Sequence, residues 1–518
     1  MTRTTPGNAM RTIFVLFDTL NRHNLGPYGG VQVATPGFDR LAERAVTFDA
    51  HHVGSLPCMP ARRDLHTGRL NFLHRSWGPL EPFDISLPQI LRQSGVYSHL
   101  ITDHYHYFED GGAGYVGKYT SYDFLRGQEG DPWVVKIAPD SDTWRARYHP
   151  GQVSETRGSL RYHNLANRER IVETSDFPST RCFDSGLAFL DDNRDADDWF
   201  LQIETFDPHE PFTAPPGFRD ALPTGYDGPI LDWPPYAPVS ETPEEIAELR
   251  ANYAALLAHC DAQLGRLLDR MDALNLWDDT MLIVTTDHGF LTGEHDWWAK
   301  IRMPAYAEIA HIPLFIHHPN HAAMAGQRRT ALTQTIDIMP TVLSAHGCAV
   351  PASVRGRSLL PLMADETAPG HDAVIFGYFG GAVNLADGRH SYFRYPPTLH
   401  DPELYQYTLM PSHVTQPFSA AELAGATLTQ GDAWTGGMPV LKVPVIRDSP
   451  WYRAHGPDRM IDSPSLIFDM ANDPAQAAPL DDPALEARLA GKMAALMAQN
   501  HAPPEAFARL GLAPPSDV

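Results

Sequence analysis

Ser55-Leu56-Pro57-Cys58-Met59-Pro60-Ala61-Arg62-Arg63-Asp64-Leu65-His66-Thr67-Gly68-Arg69 is the stretch from which the rest of the chain is read. Pro57 and Pro60 hold the backbone extended and favour a helix starting just after them. That would leave Cys58 at a helix N-terminus, where amide donors and the dipole favour anionic groups. Arg62, one turn on, would face the same pocket. A lone cysteine normally packs as a small hydrophobe, and it is the neighbours that set this one apart.

Outward from this stretch, apolar runs end in residues that carry chemistry. Ile13 to Phe17 is an uninterrupted apolar run ending in Asp18, which suits a central parallel strand buried on both faces. In open α/β sheets ligands gather beyond the carboxyl ends of such strands. Val96 to Thr102 reads as a strand followed by Asp103-His104-Tyr105-His106-Tyr107, and Trp199 to Thr205 as one followed by Asp207-Pro208-His209-Glu210-Pro211. Thr242-Pro243-Glu244-Glu245 caps a helix running to about Met271. After it, Met281 to Thr286 forms another buried strand, delivering Asp287-His288-Gly289 and, twelve residues beyond His288, Lys300.

The motif Cys58-x-Pro60-x-Arg62 with Thr67-Gly68-Arg69 resembles that of the type I sulfatases, in which a dedicated enzyme oxidises the cysteine to formylglycine. The likeness extends over nearly the whole chain. It implies an alkaline-phosphatase-like α/β fold, with a central, mostly parallel sheet flanked by helices and a smaller C-terminal α+β domain containing an antiparallel sheet. It also implies metal ligands Asp18, Cys58 as formylglycine, Asp287 and His288. In relatives, Arg62, Lys300 and the residue at His104 contact the transferred group, beside Tyr105. The histidine at 209 faces the leaving-group oxygen, and that at 106 acts on the covalent intermediate. A formylglycine diol offers one hydroxyl as nucleophile and a second whose deprotonation releases the product.

Two positions depart from the common pattern. Thr19 stands where a second aspartate is usual, and His104 where a lysine is usual. With His288 in place of an amide oxygen, one imidazole and fewer carboxylates suit manganese first, calcium next and zinc third. The set resembles the phosphonate monoester hydrolase and arylsulfatase branch. The expected activity is hydrolysis of a sulfate monoester of aryl type, with phosphonate monoesters or phosphodiesters as the alternative.

Composition bounds the rest. A formal charge of −23 over 518 residues argues against a nucleic-acid partner. Ile13 to Phe17 is too brief for a membrane span or a signal segment, so a cytoplasmic protein without membrane contact is expected. Cys182, Cys260 and Cys348 are expected in the core, and are too widely spaced for a disulfide framework. Composition turns polar around Leu362 to Gly370, which divides the chain into domains of residues 1–365 and 366–518. Gly111 to Asp176, rich in Gly, Pro and Trp, reads as a loop-rich excursion over the active face. Val374 to Tyr395, turning at Asp387-Gly388, starts an antiparallel sheet. Leu466 to Asp469 and a helix capped by Asp482 close the chain, while Thr398 to Val445 resists assignment. A small anionic ester, the formylglycine-generating enzyme and further copies of the chain, as dimer or tetramer, are the expected partners.

Overall fold

The computed structural model describes residues 10–400, 403–447 and 449–515. Its centre is an eight-stranded sheet. In chain order the strands are β1 (Arg11–Phe17), β2 (Val46–Phe48), then β3 (Ser55–Leu56), which lies outside this sheet, β4 (Tyr97–Thr102), β5 (Ser121–Phe124), β6 (Trp199–Thr205), β7 (Thr280–Thr286), β8 (Leu314–His317) and β9 (Arg328–Arg329). They lie in the order β9-β2-β8-β7-β1-β6-β4-β5. β7, β1, β6, β4 and β5 run parallel, and β8 is antiparallel to both neighbours.

Alternate residues of β1 feed two cores, which is why it reads as a continuous apolar run. Ile13, Val15 and Phe17 pack with α-helical Leu249, Leu256 and Leu264 on one face. Phe14 and Leu16 pack with Met59, Ile90 and Val342 on the other. The helices that matter below are α1 (Cys58–Thr67) and α2 (Pro243–Ala273). Thr242 and Glu245 form the expected capping box of α2. All ten residues of α1 are buried. Gly68 ends it in the left-handed region at φ 63°, its N–H donating to the Asp64 carbonyl at 2.8 Å. A Cβ there would stand 2.7 Å from Val354 Cγ1.

A second, five-stranded sheet follows. β10 (Val374–Tyr378), β11 (Val383–Ala386), β12 (His390–Arg394) and β13 (Leu466–Asp469) are antiparallel, and its fifth member is β3. Gly377 and Tyr378 pair with Ser55 and Leu56, so the strand leading into Cys58 belongs to the C-terminal sheet. Helix α3 (Pro483–Gln499), capped by Asp482, buries Leu489 and Met493 against it.

The excursion from Gly111 to Asp176 carries more regular structure than its composition suggests. It supplies the edge strand β5 and helices at Ser141–Arg147 and Leu160–Arg168. The segment from Thr398 to Val445 holds a three-stranded antiparallel sheet built from Tyr405–Thr408, Thr427–Leu428 and Leu441–Pro444. Cys182, Cys260 and Cys348 are buried free thiols in the two main cores. Among the described residues no helix is long and apolar enough to cross a membrane.

Candidate active site

Register assembles the site. Phe17 is paired with Thr205 on one side and Thr286 on the other, and Thr102 with Glu204. The residues that leave these strand ends therefore emerge side by side: Asp18 from β1, Asp287 and His288 from β7, His104 from β4 and His209 after β6. Helix α1 brings Cys58 in from the second sheet. Asp18, Cys58, Asp287 and His288 place one ligand atom each within 4.8 Å of one another, all buried.

The donor set fits a cation. His288 Nδ1–H donates to the Gly289 carbonyl at 3.0 Å, which leaves the Nε2 lone pair for the cluster. That Nε2 lies 3.3 Å from Cys58 Sγ, the atom standing where a formylglycine oxygen would be. Beneath them the Arg62 guanidinium donates to Asp18 at 2.9 Å, to Asp287 at 2.7 Å and to Glu204 at 2.7 Å. Burial alone would raise the Asp18 carboxyl, but Arg62, helped by His104, holds it well below the usual range. Burial and the nearby Asp18 push the Cys58 thiol well up, so an unmodified cysteine here is a neutral, poor nucleophile.

Three carboxylates, those of Asp18, Glu204 and Asp287, surround Arg62, and Lys300 stands 3.9 Å from Asp18. Burial keeps the neighbouring imidazoles of His104, His209 and His288 below their ordinary pKa, hence neutral. A divalent ion held by Asp18, Asp287 and His288 would add positive charge beside Cys58, the sign that an anionic ester requires there.

Lys300 is delivered by a contorted segment. Asp296, Ala299 and Ile301 all take positive φ, at 59°, 79° and 69°, a conformation unfavourable for residues with a Cβ and frequent at functional sites. Its ammonium donates to Thr19 Oγ1 at 2.8 Å and lies 3.7 Å from Cys58 Sγ. Thr19, itself at φ 64°, donates its hydroxyl to Asp18 at 2.6 Å and its N–H to Asp287 at 3.1 Å. The threonine thus ties the lysine to the two carboxylates of the candidate metal cluster.

Above the cluster opens a cavity of about 600 Å³ lined by Cys58, Tyr105, His106, His209 and Lys300, among others. Arg62 and His104, like Asp18, Asp287 and His288, lie behind its wall. Both were expected to meet the transferred group; here Arg62 has its guanidinium committed to carboxylates, and His104 lies fully buried with Nε2 directed at Asp18 from 3.3 Å. His106 directs Nδ1 to Glu109, in a short contact, and Nε2 towards Glu129 at 3.9 Å. His209 Nδ1–H donates to the Glu210 carbonyl at 2.6 Å. Glu129, Glu204 and Glu210 went unremarked in the sequence. Only Glu210, beside His209, carried any local signal.

Residues 11–348 match the Sulfatase family model. The chain belongs to the sulfatase family. This sulfatase is 29% identical over 385 residues to the multifunctional alkaline phosphatase superfamily protein PehA of Trinickia caryophylli, covering 64% of this chain and 71% of that one. It is 24% identical over 473 residues to an N-acetylglucosamine-6-O-sulfatase of Bacteroides thetaiotaomicron, covering 80% and 83%. Its fold matches the phosphonate monoester hydrolase of Agrobacterium radiobacter with a TM-score of 0.64 at 19% identity, over 95% of this chain and 96% of that one. As a sulfatase of the alkaline phosphatase superfamily it is a hydrolase.

Proposed function

We propose that this enzyme hydrolyses sulfate monoesters of aryl type, by covalent catalysis at residue 58 after oxidation of Cys58 to formylglycine. The observation that carries this reading is the juxtaposition at one cavity floor of Cys58, its Asp18-Asp287-His288 cluster and Lys300. A divalent ion held by those residues would supply the charge and acidity that activate the oxygen at position 58. Manganese is the first choice for two carboxylates and one imidazole, with calcium next.

The chain's own residues account for the rest. Lys300 faces Cys58 and would neutralise a non-bridging oxygen of the transferred group. Arg62 holds Asp18, Asp287 and Glu204 in a fixed array from below. His209, with Nδ1–H fixed on a carbonyl, offers Nε2 for the leaving-group oxygen. An incoming anion would favour its protonated form and so equip it as general acid. His106, oriented by Glu109, would take up the proton in the second half-reaction.

Mass spectrometry across Cys58 tests the reading. Formylglycine lowers the peptide mass by about 18 Da, and its extent should track aryl sulfatase activity, whereas fully active protein with an unchanged thiol would refute it. Chelation should abolish turnover and manganese restore it; restoration by calcium alone would reverse the metal order. The phosphonate monoester or phosphodiester reading is favoured by Thr19, by Asp287-His288 and by the structural likeness to the Agrobacterium enzyme. Parallel kcat/KM values for an aryl sulfate and an aryl phosphonate ester decide between them.

A further inference from the structure

The cavity over Cys58 carries two buried carboxylates that the reaction does not use. Glu129 is 7% exposed and Glu210 1%, and both line its wall. Each has one oxygen taken by a tyrosine: Tyr105 OH donates to Glu129 Oε2 at 2.7 Å, and Tyr236 OH makes a short bond to Glu210 Oε1. Glu210 Oε2 is buried with no hydrogen-bond partner among the described residues.

Their basic neighbours are imidazoles. His106 Nε2 lies 3.9 Å from Glu129, and His209 Nδ1 lies 3.3 Å from Glu210 but spends its N–H on the backbone carbonyl. The other cations of the wall have occupations of their own. Lys300 donates to Thr19 and acts on Glu129 and Glu210 only through its charge, without a hydrogen bond to either, while Arg161 and Arg302 rest 5.8 and 5.9 Å from the ring centres of Trp233 and Tyr236. Burial pushes the Glu129 carboxyl up to about 7, against the opposing influence of His106 and Lys300.

A buried acceptor without a donor is unfavourable unless a ligand supplies one. A neutral apolar leaving group would leave Glu210 Oε2 without a donor, and an anionic one would be repelled. An ammonium offers three donors, a charge of the right sign and an affinity for aromatic faces. Resting on the reading of residue 58 as the reacting centre, we infer that the leaving group of the natural ester carries an ammonium group, received by Glu129 and Glu210 beside Tyr105 and Tyr236.

Tyramine and its neutral isostere 4-propylphenol, the leaving alcohols of two aryl sulfates, give a test independent of turnover. In titration calorimetry of the metal-loaded enzyme at pH 8, tyramine should bind at least about tenfold tighter. Glu129→Gln and Glu210→Gln should each bring the ratio towards one. Equal or weaker binding of tyramine by the wild-type protein overturns the inference even if neither variant folds, and so does a ratio unmoved in two folded variants. The corresponding O-sulfates separate it from the functional reading. A tyramine preference with neither sulfate hydrolysed would refute the sulfatase reading while supporting the ammonium site. Hydrolysis of both with equal kcat/KM and equal binding would refute the ammonium site alone.

Discussion

Thr19 shows how much a single departure can reorganise a site. Its hydroxyl bridges Asp18 and Lys300, joining the candidate metal cluster to the lysine proposed to meet the substrate. Thr19→Ala should therefore weaken metal affinity roughly ten- to hundredfold, as removal of an outer-shell partner does, and lower kcat/KM with it; a metal titration giving an unchanged midpoint would exclude this role. Arg62 lies at the other extreme of burial. Arg62→Met leaves three carboxylates without their cation and should cost about 3–5 kcal/mol, read as a lower denaturation midpoint that recovers partly in excess divalent ion. For His209 the sign of the effect discriminates. As general acid, its replacement by Ala should impair alkyl esters far more than nitrophenyl sulfate, by up to ~10²–10⁴-fold; an equal loss across leaving groups would assign it to positioning. At this scale the sequence names most participants, but it shows neither that Arg62 and His104 lie under the floor nor that Glu204 exists as a partner. Those facts depend on which neighbours claim each donor.

Elements explain why these residues meet. Strand ends in register deliver Asp18, His104, His209 and Asp287 without any further device, and that part was legible because fully buried strands read as unbroken apolar runs. β3 was not legible: two residues carry no periodicity, and its partner lies some 320 positions away in β10. The same applies to β5, a half-buried edge strand within a Gly- and Pro-rich stretch. β10 also steadies the lysine loop, since Ile301 N–H donates to Tyr378 OH at 3.0 Å. Tyr378→Phe leaves this N–H without its acceptor beside a strained backbone, and should destabilise the protein by about 1–3 kcal/mol. Activity should fall with stability; a variant as stable and as active as the wild type would show that the bond contributes nothing.

Across the whole molecule, neutral histidines are part of the core. His51, His66 and His74 are fully buried, and burial lowers each to about 3. A base whose folded pKa is depressed contributes nothing to pH dependence above about 6.5, the unfolded value, and costs stability below it, because only the unfolded chain takes up the proton there. Each should remove on the order of 1–2 kcal/mol by pH 5. Urea midpoints should accordingly fall steeply from pH 7 to 5, and a flat profile would show these rings to be protonated or exposed in the fold. The proposed division at residue 365 has a consequence of its own: because β3 completes the C-terminal sheet, a chain ending at 365 should lack the support of Cys58 and be inactive even when metal-loaded. The sequence by itself determined the α/β architecture, and it named Cys58 with Asp18, Asp287 and His288 as the candidate nucleophile and metal ligands, since these reside in local patterns: apolar runs, caps and a motif of fifteen residues. Only the tertiary structure decided which side chains lie behind the cavity and which line it, and that a C-terminal sheet leads into Cys58. Charge compensation among buried groups and pairing between distant strands are set by spatial neighbours, which no local pattern records.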